Sequence, residues 1–223
     1  MRLLDKFPDK ALFNNFFSSE ILNKLGVKSM EELIFEKGSF KILTPITNLE
    51  CFSEIDNDLP KNLKMVNDLP IGGIGIISLK TISEVEGRGP KGKSPFPSSG
   101  FDAGHILGRQ LFKGTCFNTS KKNKMNIYKQ TKWSNRGNHY TAVHGYNQTY
   151  FENLIVKNIV NNPSLIVKYE AKLIYHIDET IPRGIHLRTF CEKCACLNVN
   201  VFVPNVEVEG LIDYKSDDLV IVK

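Results

Sequence analysis

The amino-acid sequence predicts an α+β fold, with a mixed or antiparallel sheet and few helices. Apolar residues recur at helical spacing in only two stretches, 11–25 and 149–161. Short runs with the composition of strands are more numerous, and they lie at 71–82, 101–107, 165–175, 197–203 and 219–222. No internal repeat is visible, so a repeat architecture is not indicated.

The first 70 residues differ from the rest and are expected to form an N-terminal helical extension, 1–70. Its first helix, within 11–25, meets a stop signal at Gly26. Ser29 and Glu32 have the spacing of a capping box, which predicts a second short helix over 30–35. This extension carries no chemical motif, and a cap, a tether or the remnant of a delivery region are all open. The chemistry is expected in a second domain, 71–223.

Composition and charge set broad limits on function. With 41% hydrophobic and 24% charged residues, the chain has the make-up of a folded protein rather than a disordered one. A net charge of +5 permits a polyanionic partner but does not require one. No apolar run approaches the roughly 18 residues of a membrane span, so no membrane association is expected.

The N-terminal residues do not have the pattern of a signal peptide. Charged residues interrupt every apolar run there, among them Asp5, Lys6, Asp9 and Lys10. We therefore expect a chain that is secreted or delivered without a recognisable signal peptide, or one that stays in the cytoplasm.

The cysteines leave three interpretations open. There are five, Cys51, Cys116, Cys191, Cys194 and Cys196, and an odd number argues against a fully paired disulfide framework. The last three form a C-x-x-C-x-C cluster. It could be a zinc site completed by Cys116, Cys51 or His186, a labile disulfide pair, or reduced thiols, and reduced thiols are favoured.

The stretch 101–108, F-D-A-G-H-I-L-G, carries the first candidate catalytic residue. His105 follows a glycine at the end of an apolar strand, downstream of a loop (87–100) that contains three cations. A histidine in that position can be exposed and held rigidly, as a general base near neutral pH requires. Taken alone, a structural histidine in a strand is the more common case.

A second candidate segment lies at 126–135 and is rich in side-chain amides. Asn126, Gln130 and Asn135 are spaced along it. Neutral amide oxygens are poor general bases but acceptable ligands for Mg²⁺, which keeps several waters and needs few protein oxygens. Spacing alone favours the alternative, a polar turn.

Together these segments resemble the DNA/RNA non-specific endonuclease family. The family motif is D-R-G-H followed by N-x-x-x-Q-x-x-x-x-N, and this chain has D-A-G-H at 102–105 and the matching amides at 126–135. Further similarity to the streptodornase-like bacterial branch lies in Q-T-K-W-S-N (130–135), G-Y-N-Q-T-Y-F-E (145–152), V-F-V-P-N-V (201–206) and I-D-Y (212–214). The resemblance covers about residues 70–223 and implies a ββα-metal (His-Me finger) nuclease core.

The resemblance implies a metal-dependent endonuclease that hydrolyses phosphodiester bonds in DNA and in RNA. His105 would be the general base, and Asn135 would bind Mg²⁺, for which Mn²⁺ would substitute. Glu152 would orient metal-bound waters. Residues that would hold the geometry of the site are Asp102, Asn126 and Gln130. Glu152 has a competing interpretation, since with Thr149 it forms a T-x-x-E capping box.

One position departs from the family motif. Ala103 stands where the motif has an arginine, so another cation would have to contact the substrate. The candidates for this substrate-binding role are Arg88, Arg109 and Lys113. A further basic run, 121–124, is either a solvated loop or a set of phosphate contacts.

Two other classes of function are compatible with the sequence. Ala103 would also fit a nucleic-acid-binding module of the same fold with an impaired active site. The C-x-x-C-x-C cluster would fit a zinc-stabilised interaction protein. If the chain is a nuclease, its partners are DNA or RNA, and a secreted nuclease and an antibacterial toxin are both consistent with it. A toxin would require an immunity protein that covers the site.

Overall fold

The computed structural model describes residues 7–49, 60–83, 93–137 and 145–222. Within these ranges the α-helices are α1 (Ser19–Leu25), α2 (Leu79–Ile82), α3 (Arg109–Phe112), α4 (Lys132–Arg136) and α5 (Gln148–Asn161). The strands are β1 (Leu33–Glu36), β2 (Ser39–Ile42), β3 (Lys61–Asn62), β4 (Gly72–Ile77), β5 (Asp102–His105), β6 (Ile127–Gln130), β7 (Val167–Ile174), β8 (Gly184–Phe190), β9 (Asn200–Pro204), β10 (Leu211–Ile212) and β11 (Ile221–Val222). None of the described helices has the length and apolar character needed to cross a membrane.

The main sheet has seven strands in the order β1-β2-β9-β8-β7-β4-β3, and each neighbouring pair is antiparallel. Two small sheets accompany it, one made of β5 and β6 and one of β10 and β11. The predicted α+β class, with an antiparallel sheet and few helices, is confirmed.

The described part of residues 1–70 contains strands as well as helix. Of the stretch 11–25 only the second half is α-helical: α1 begins after its N-cap Ser18, and Lys10–Phe13 forms a separate 3₁₀ turn. Gly26 ends α1 in the left-handed conformation, as expected. The helix predicted over 30–35 is wrong. Ser29 makes no capping bond, and only a single 3₁₀ turn precedes β1. The apolar residues of β1 and β2 are buried better as strands, since β2 pairs with β9 at the edge of the main sheet.

Phenylalanines attach this N-terminal part to the main core. The rings of Phe16 and Phe17 lie 6.2 and 5.8 Å from that of Phe202 in β9, and Phe17 also contacts Phe40 in β2. Residues 7–49 therefore pack against the sheet of the predicted second domain rather than apart from it.

Strand β8 lies in the middle of the sheet, and its sequence, G-I-H-L-R-T-F, did not predict it. Its polar residues are buried because each finds a partner. His186 Nε2 lies 2.7 Å from Asn200 Oδ1, and the Thr189 hydroxyl donates to the Leu197 carbonyl.

Strands β5 and β6 form an antiparallel pair, called the β5–β6 hairpin below, and α3 lies in the connection between them. Asn205 joins this hairpin to the main sheet. Its Oδ1 accepts from the Thr131 backbone at 2.8 Å, and its Nδ2 donates to the Lys129 carbonyl at 3.0 Å. The Thr131 hydroxyl donates to the Val206 carbonyl at 2.6 Å. The V-F-V-P-N-V segment thus fixes the end of β6 and the start of α4, which positions the residues described next.

Candidate active site

The β5–β6 hairpin presents two faces. The strands are antiparallel, with His105 opposite Ile127 and Asp102 opposite Gln130. Because side chains alternate along a strand, Asp102 lies on one face, whereas Ala103 and His105 share the other.

The imidazole of His105 is held in a defined tautomer. Its Nε2 lies 3.0 Å from the carbonyl oxygen of Thr119. A carbonyl oxygen only accepts hydrogen bonds, so Nε2 must carry the proton and Nδ1 keeps its lone pair. Burial lowers the pKa of His105, the Thr119 hydrogen bond raises it, and the charges of Lys121 and Arg109 lower it further. The net shift is downward, so the ring is a neutral base at neutral pH.

The backbone at His105 is fixed by a buried glutamine that the sequence analysis did not single out. Gln148, the first residue of α5, donates from Nε2 to the His105 carbonyl at 2.6 Å and to Glu152 Oε1 at 2.9 Å. Its Oε1 accepts from Gln130 Nε2 at 3.0 Å. Gln148 lies inside the G-Y-N-Q-T-Y-F-E segment of the resemblance, and that was the only available signal.

Gly104 allows this packing. A Cβ at position 104 would overlap the side-chain oxygen of Gln130, which is fully buried. Packing against Gln130 therefore explains why a glycine stands at position 104 of the D-A-G-H motif, without any role in catalysis.

Glu152 is buried beneath the loop that follows His105. Its two carboxylate oxygens accept from Gln110 Nε2 and Gln148 Nε2, both at 2.9 Å. Burial raises the pKa of Glu152, and these two hydrogen bonds lower it. A Cβ at Gly108 would overlap the carboxylate, so Gly108 leaves room for it.

The capping interpretation of Glu152 is wrong. The N-cap of α5 is Asn147, whose Oδ1 accepts from the Tyr150 backbone at 3.0 Å. The hydroxyl of Thr149 instead donates to the Asn135 carbonyl at 2.7 Å, which ties α5 to α4. The helix begins one residue earlier than predicted, so Thr149 lies inside it.

Asn135 and Asp102 are in direct contact. Asn135 Nδ2 donates to Asp102 Oδ2 at 2.9 Å. Arg136, which the sequence analysis missed, binds the same carboxylate through Nε at 2.5 Å and a second guanidinium nitrogen at 3.0 Å. Because a carboxylate can only accept, it fixes the Asn135 amide with Oδ1 turned away.

The Asn135 amide fits a hard metal ion. The side chain is partly exposed, and its Oδ1 accepts no hydrogen bond from any residue within the described ranges. A fixed amide oxygen with a free lone pair is a suitable ligand for Mg²⁺.

The side chain of Asn126 is buried and hydrogen-bonded within the protein, so it supports the structure around His105. It is fully buried, its Oδ1 accepts from the Leu107 backbone at 2.9 Å and from Asn62 at 3.0 Å, and its Nδ2 donates to the Leu107 carbonyl at 3.1 Å. It fixes the chain two residues beyond His105.

Of the three cations predicted to bind substrate, two lie in or directly after the helix that follows His105. Arg109 starts α3 and is close enough to affect the pKa of His105, and Lys113 follows the same helix. Arg88 lies outside the described residues. Ala103 is buried opposite Lys129, whose ammonium is paired with Asp217 at 2.7 Å.

Among the described cysteines, Cys194 and Cys196 lie together, and Cys116 is exposed. Cys194 and Cys196 have their sulfurs 2.7 Å apart, whereas Cys191 is buried, and Cys51 lies outside the described residues. In the described part of the chain, no three His, Cys, Asp or Glu side chains are grouped to hold a metal.

Comparison with known proteins gave structural but not family-level matches. No protein-family model matches the sequence. The chain is similar to NucA from Streptococcus agalactiae with magnesium bound, at 19% identity and a TM-score of 0.71, over 95% of this chain and 100% of NucA. It is also similar to the Sda1 nuclease with bound zinc, at 18% identity and a TM-score of 0.58, over 73% of this chain and 80% of Sda1. An extracellular endonuclease matches at 14% identity and a TM-score of 0.53, over 79% of this chain and 95% of the other. The chain therefore has the fold of these nucleases.

Proposed function

We propose that this chain is a divalent-metal-dependent endonuclease that hydrolyses phosphodiester bonds in DNA and RNA, with His105 as its general base. The observation that carries the proposal is the imidazole itself. The Thr119 carbonyl fixes its tautomer, and its Nδ1 lone pair is free at neutral pH. The fold likeness to NucA and Sda1 supports the same reaction class.

His105 supplies the first requirement of the reaction, an activated water. Its Nδ1 accepts a proton from the attacking water as the oxygen approaches phosphorus. The Nε2–H bond to Thr119 steadies the ring while it is charged, since a carbonyl oxygen stabilises an adjacent imidazolium.

Asn135 is the residue that would hold the metal, through Oδ1. Mg²⁺ bound there would act as a Lewis acid on the phosphoryl and leaving oxygens, and Mn²⁺ prefers similar oxygen ligands. Asp102 sets the orientation of the amide, and Arg136 balances the charge of Asp102. The magnesium in the NucA structure supports a metal at a site of this fold.

Glu152 keeps the capacity to orient a water. A carboxylate has about four lone-pair positions, and the described hydrogen bonds from Gln110 and Gln148 use two. Arg109, the first residue of α3, and Lys113, which follows that helix, would contact the phosphates. This assignment leaves Ala103 without a catalytic role.

A nucleic-acid-binding module without catalysis is the second candidate. The observation that favours it is Ala103, which is buried and brings no cation to the His105 face. A binding module would bind DNA in Mg²⁺ without cleaving it, which distinguishes it from the proposed nuclease.

The setting is proposed to be extracellular, in keeping with the extracellular endonuclease of the same fold. If the chain is an exported toxin, its immunity protein would cover the His105 face.

The experiment is cleavage of plasmid DNA and of RNA by the purified, folded protein in Mg²⁺. His176→Ala is the matched control for His105→Ala, because His176 is a partly exposed histidine beside Glu20 in another part of the chain. We expect the wild type and His176→Ala to cleave both substrates. Absence of cleavage by folded wild-type protein would contradict the proposal and favour the binding module.

A further inference from the structure

A groove of about 590 Å³ opens beside strand β6. Ile127 and Lys129 of β6 line it, and by strand alternation their side chains share the hairpin face with His105. The volume is in the range of sites that hold small ligands, about 300–1,000 Å³.

The groove has an apolar part and a cationic part. The apolar side chains that line it are Met65, Leu69, Pro70, Pro95, Phe96 and Ile127. The cationic ones are Lys93, Lys121, Lys122, Lys124 and Lys129. Two aspartates also line it, Asp68 and Asp217, and Asp217 is already paired with Lys129. The groove is therefore an apolar cleft with an excess of positive charge.

Three lysines of the basic run at 121–124 line the groove. No carboxylate in the described ranges forms an ion pair with Lys121, Lys122 or Lys124. Lysines concentrated at one edge without counter-charges form a site for an anion. A ligand with one flat apolar end and one anionic end would satisfy both parts of the groove.

The groove adjoins the proposed general base. Ile127 is the register partner of His105, and Thr119, which accepts the His105 hydrogen bond, lies two residues before Lys121. A phosphodiester at His105 would place a neighbouring nucleotide at the groove.

We propose that this groove binds one unstacked nucleotide next to the scissile phosphate, with its base on Phe96 and its phosphate at Lys122 and Lys124. This inference rests on the proposed nuclease function and specifies its substrate. A base in a single strand is free to enter the groove, whereas a base in a duplex must first be unpaired and unstacked. The enzyme therefore prefers single-stranded DNA or RNA to duplex.

The first test removes the aromatic ring. The binding of a short single-stranded oligonucleotide carrying 2-aminopurine and of a duplex of the same sequence is measured by fluorescence, in the His105→Ala background so that neither is cleaved. From the usual contribution of base stacking, Phe96→Ala is expected to weaken single-strand binding about fivefold or more. Duplex binding is expected to change by less than about twofold, since a stacked base never reaches Phe96.

The second test reverses charge at the rim. Lys122→Glu with Lys124→Glu is expected to weaken single-strand binding by about tenfold or more and to reduce its salt dependence. The matched control is Lys157→Glu with Lys193→Glu, which changes net charge equally at two exposed lysines that do not line the groove. The control is expected to change binding by less than about twofold.

Cleavage rates separate the failure of this inference from the failure of the proposed function. Wild-type protein that cleaves duplex and single strand at equal kcat/KM, with Phe96→Ala affecting both alike, overturns the nucleotide site and leaves the nuclease intact. Protein that binds the 2-aminopurine strand as expected but cleaves nothing in Mg²⁺ overturns the nuclease.

Discussion

The β5–β6 hairpin and the seven-stranded sheet are stabilised in different ways. The sheet is held by backbone pairing and by apolar side chains such as Leu187 and Phe202. The hairpin is connected to α5, to the loop after His105 and to the sheet by buried side-chain amides, which are Asn126, Gln130, Gln148 and Asn205. Apolar packing tolerates substitution if volume is kept, but a buried amide that loses its partner leaves polar groups unsatisfied. The site is therefore held in place by directional hydrogen bonds. Loss of one of them should lower the cleavage rate more than loss of a hydrogen bond within the sheet does.

Removing the metal should give the largest difference between the two regions, because it should abolish cleavage at the site and leave the stability of the sheet unchanged. We expect EDTA to abolish cleavage and added Mg²⁺ to restore it, because Asn135 Oδ1 is proposed to be the protein's ligand. Thermal unfolding followed by circular dichroism should change little, since the sheet does not depend on the ion. Full activity in EDTA would rule out the mechanism.

Gln148→Leu should damage the hairpin's amide network. It removes the bonds to the His105 carbonyl, Glu152 and Gln130, and the partners are left buried. We expect cleavage to fall by about tenfold or more and the free energy of unfolding to fall by roughly 2 kcal/mol.

The matched variant in the sheet is Thr189→Val. It removes a buried hydroxyl that bonds to the backbone at Leu197 and Val199. We expect the free energy of unfolding to fall by about 1–3 kcal/mol with the cleavage rate nearly unchanged. Equal losses of activity in the two variants would show that the two regions do not differ in the way described.

The pH dependence of cleavage should reflect the surroundings of His105. The general base works only when neutral, and its pKa is lowered from 6.5, chiefly by burial. The acidic limb of kcat/KM should therefore lie below pH 6.5. Lys121→Ala removes a nearby positive charge, so the pKa should rise and the limb should move to higher pH. A shift in the opposite direction would contradict the assignment.

The smallest effect is expected at the cysteines. Cys194→Ser with Cys196→Ser changes two side chains that are at least partly exposed and make no hydrogen bond to the buried amides of the site. Cleavage in reducing buffer should stay within about twofold of wild type, as is usual for surface substitutions. A clear loss of activity would show that the β8–β9 connection matters more to the site than its contacts indicate.

The sequence predicted the fold class, the long helix and the strand that carries His105, because each has a local signal. It did not predict β8, because that strand contains polar residues. They are buried in the structure only because they bond to β9 and to the loop that precedes β9. Gln148 and Arg136 were missed for the same reason. Gln148 is important because it contacts Glu152, and Arg136 because it contacts Asp102. Neither contact can be predicted from the local sequence pattern. The capping interpretation of Glu152 failed because Asn147 caps the helix first.

The central claim is that His105 is the base and Asn135 the metal ligand, and cleavage rate measured against Mg²⁺ concentration tests it most directly. His105→Ala should lower the rate by about 10²–10⁴-fold at every concentration, because metal cannot replace a positioned base. Asn135→Ala should lose activity at low Mg²⁺ and recover part of it at high Mg²⁺. Cleavage by folded His105→Ala at the wild-type rate would contradict the account.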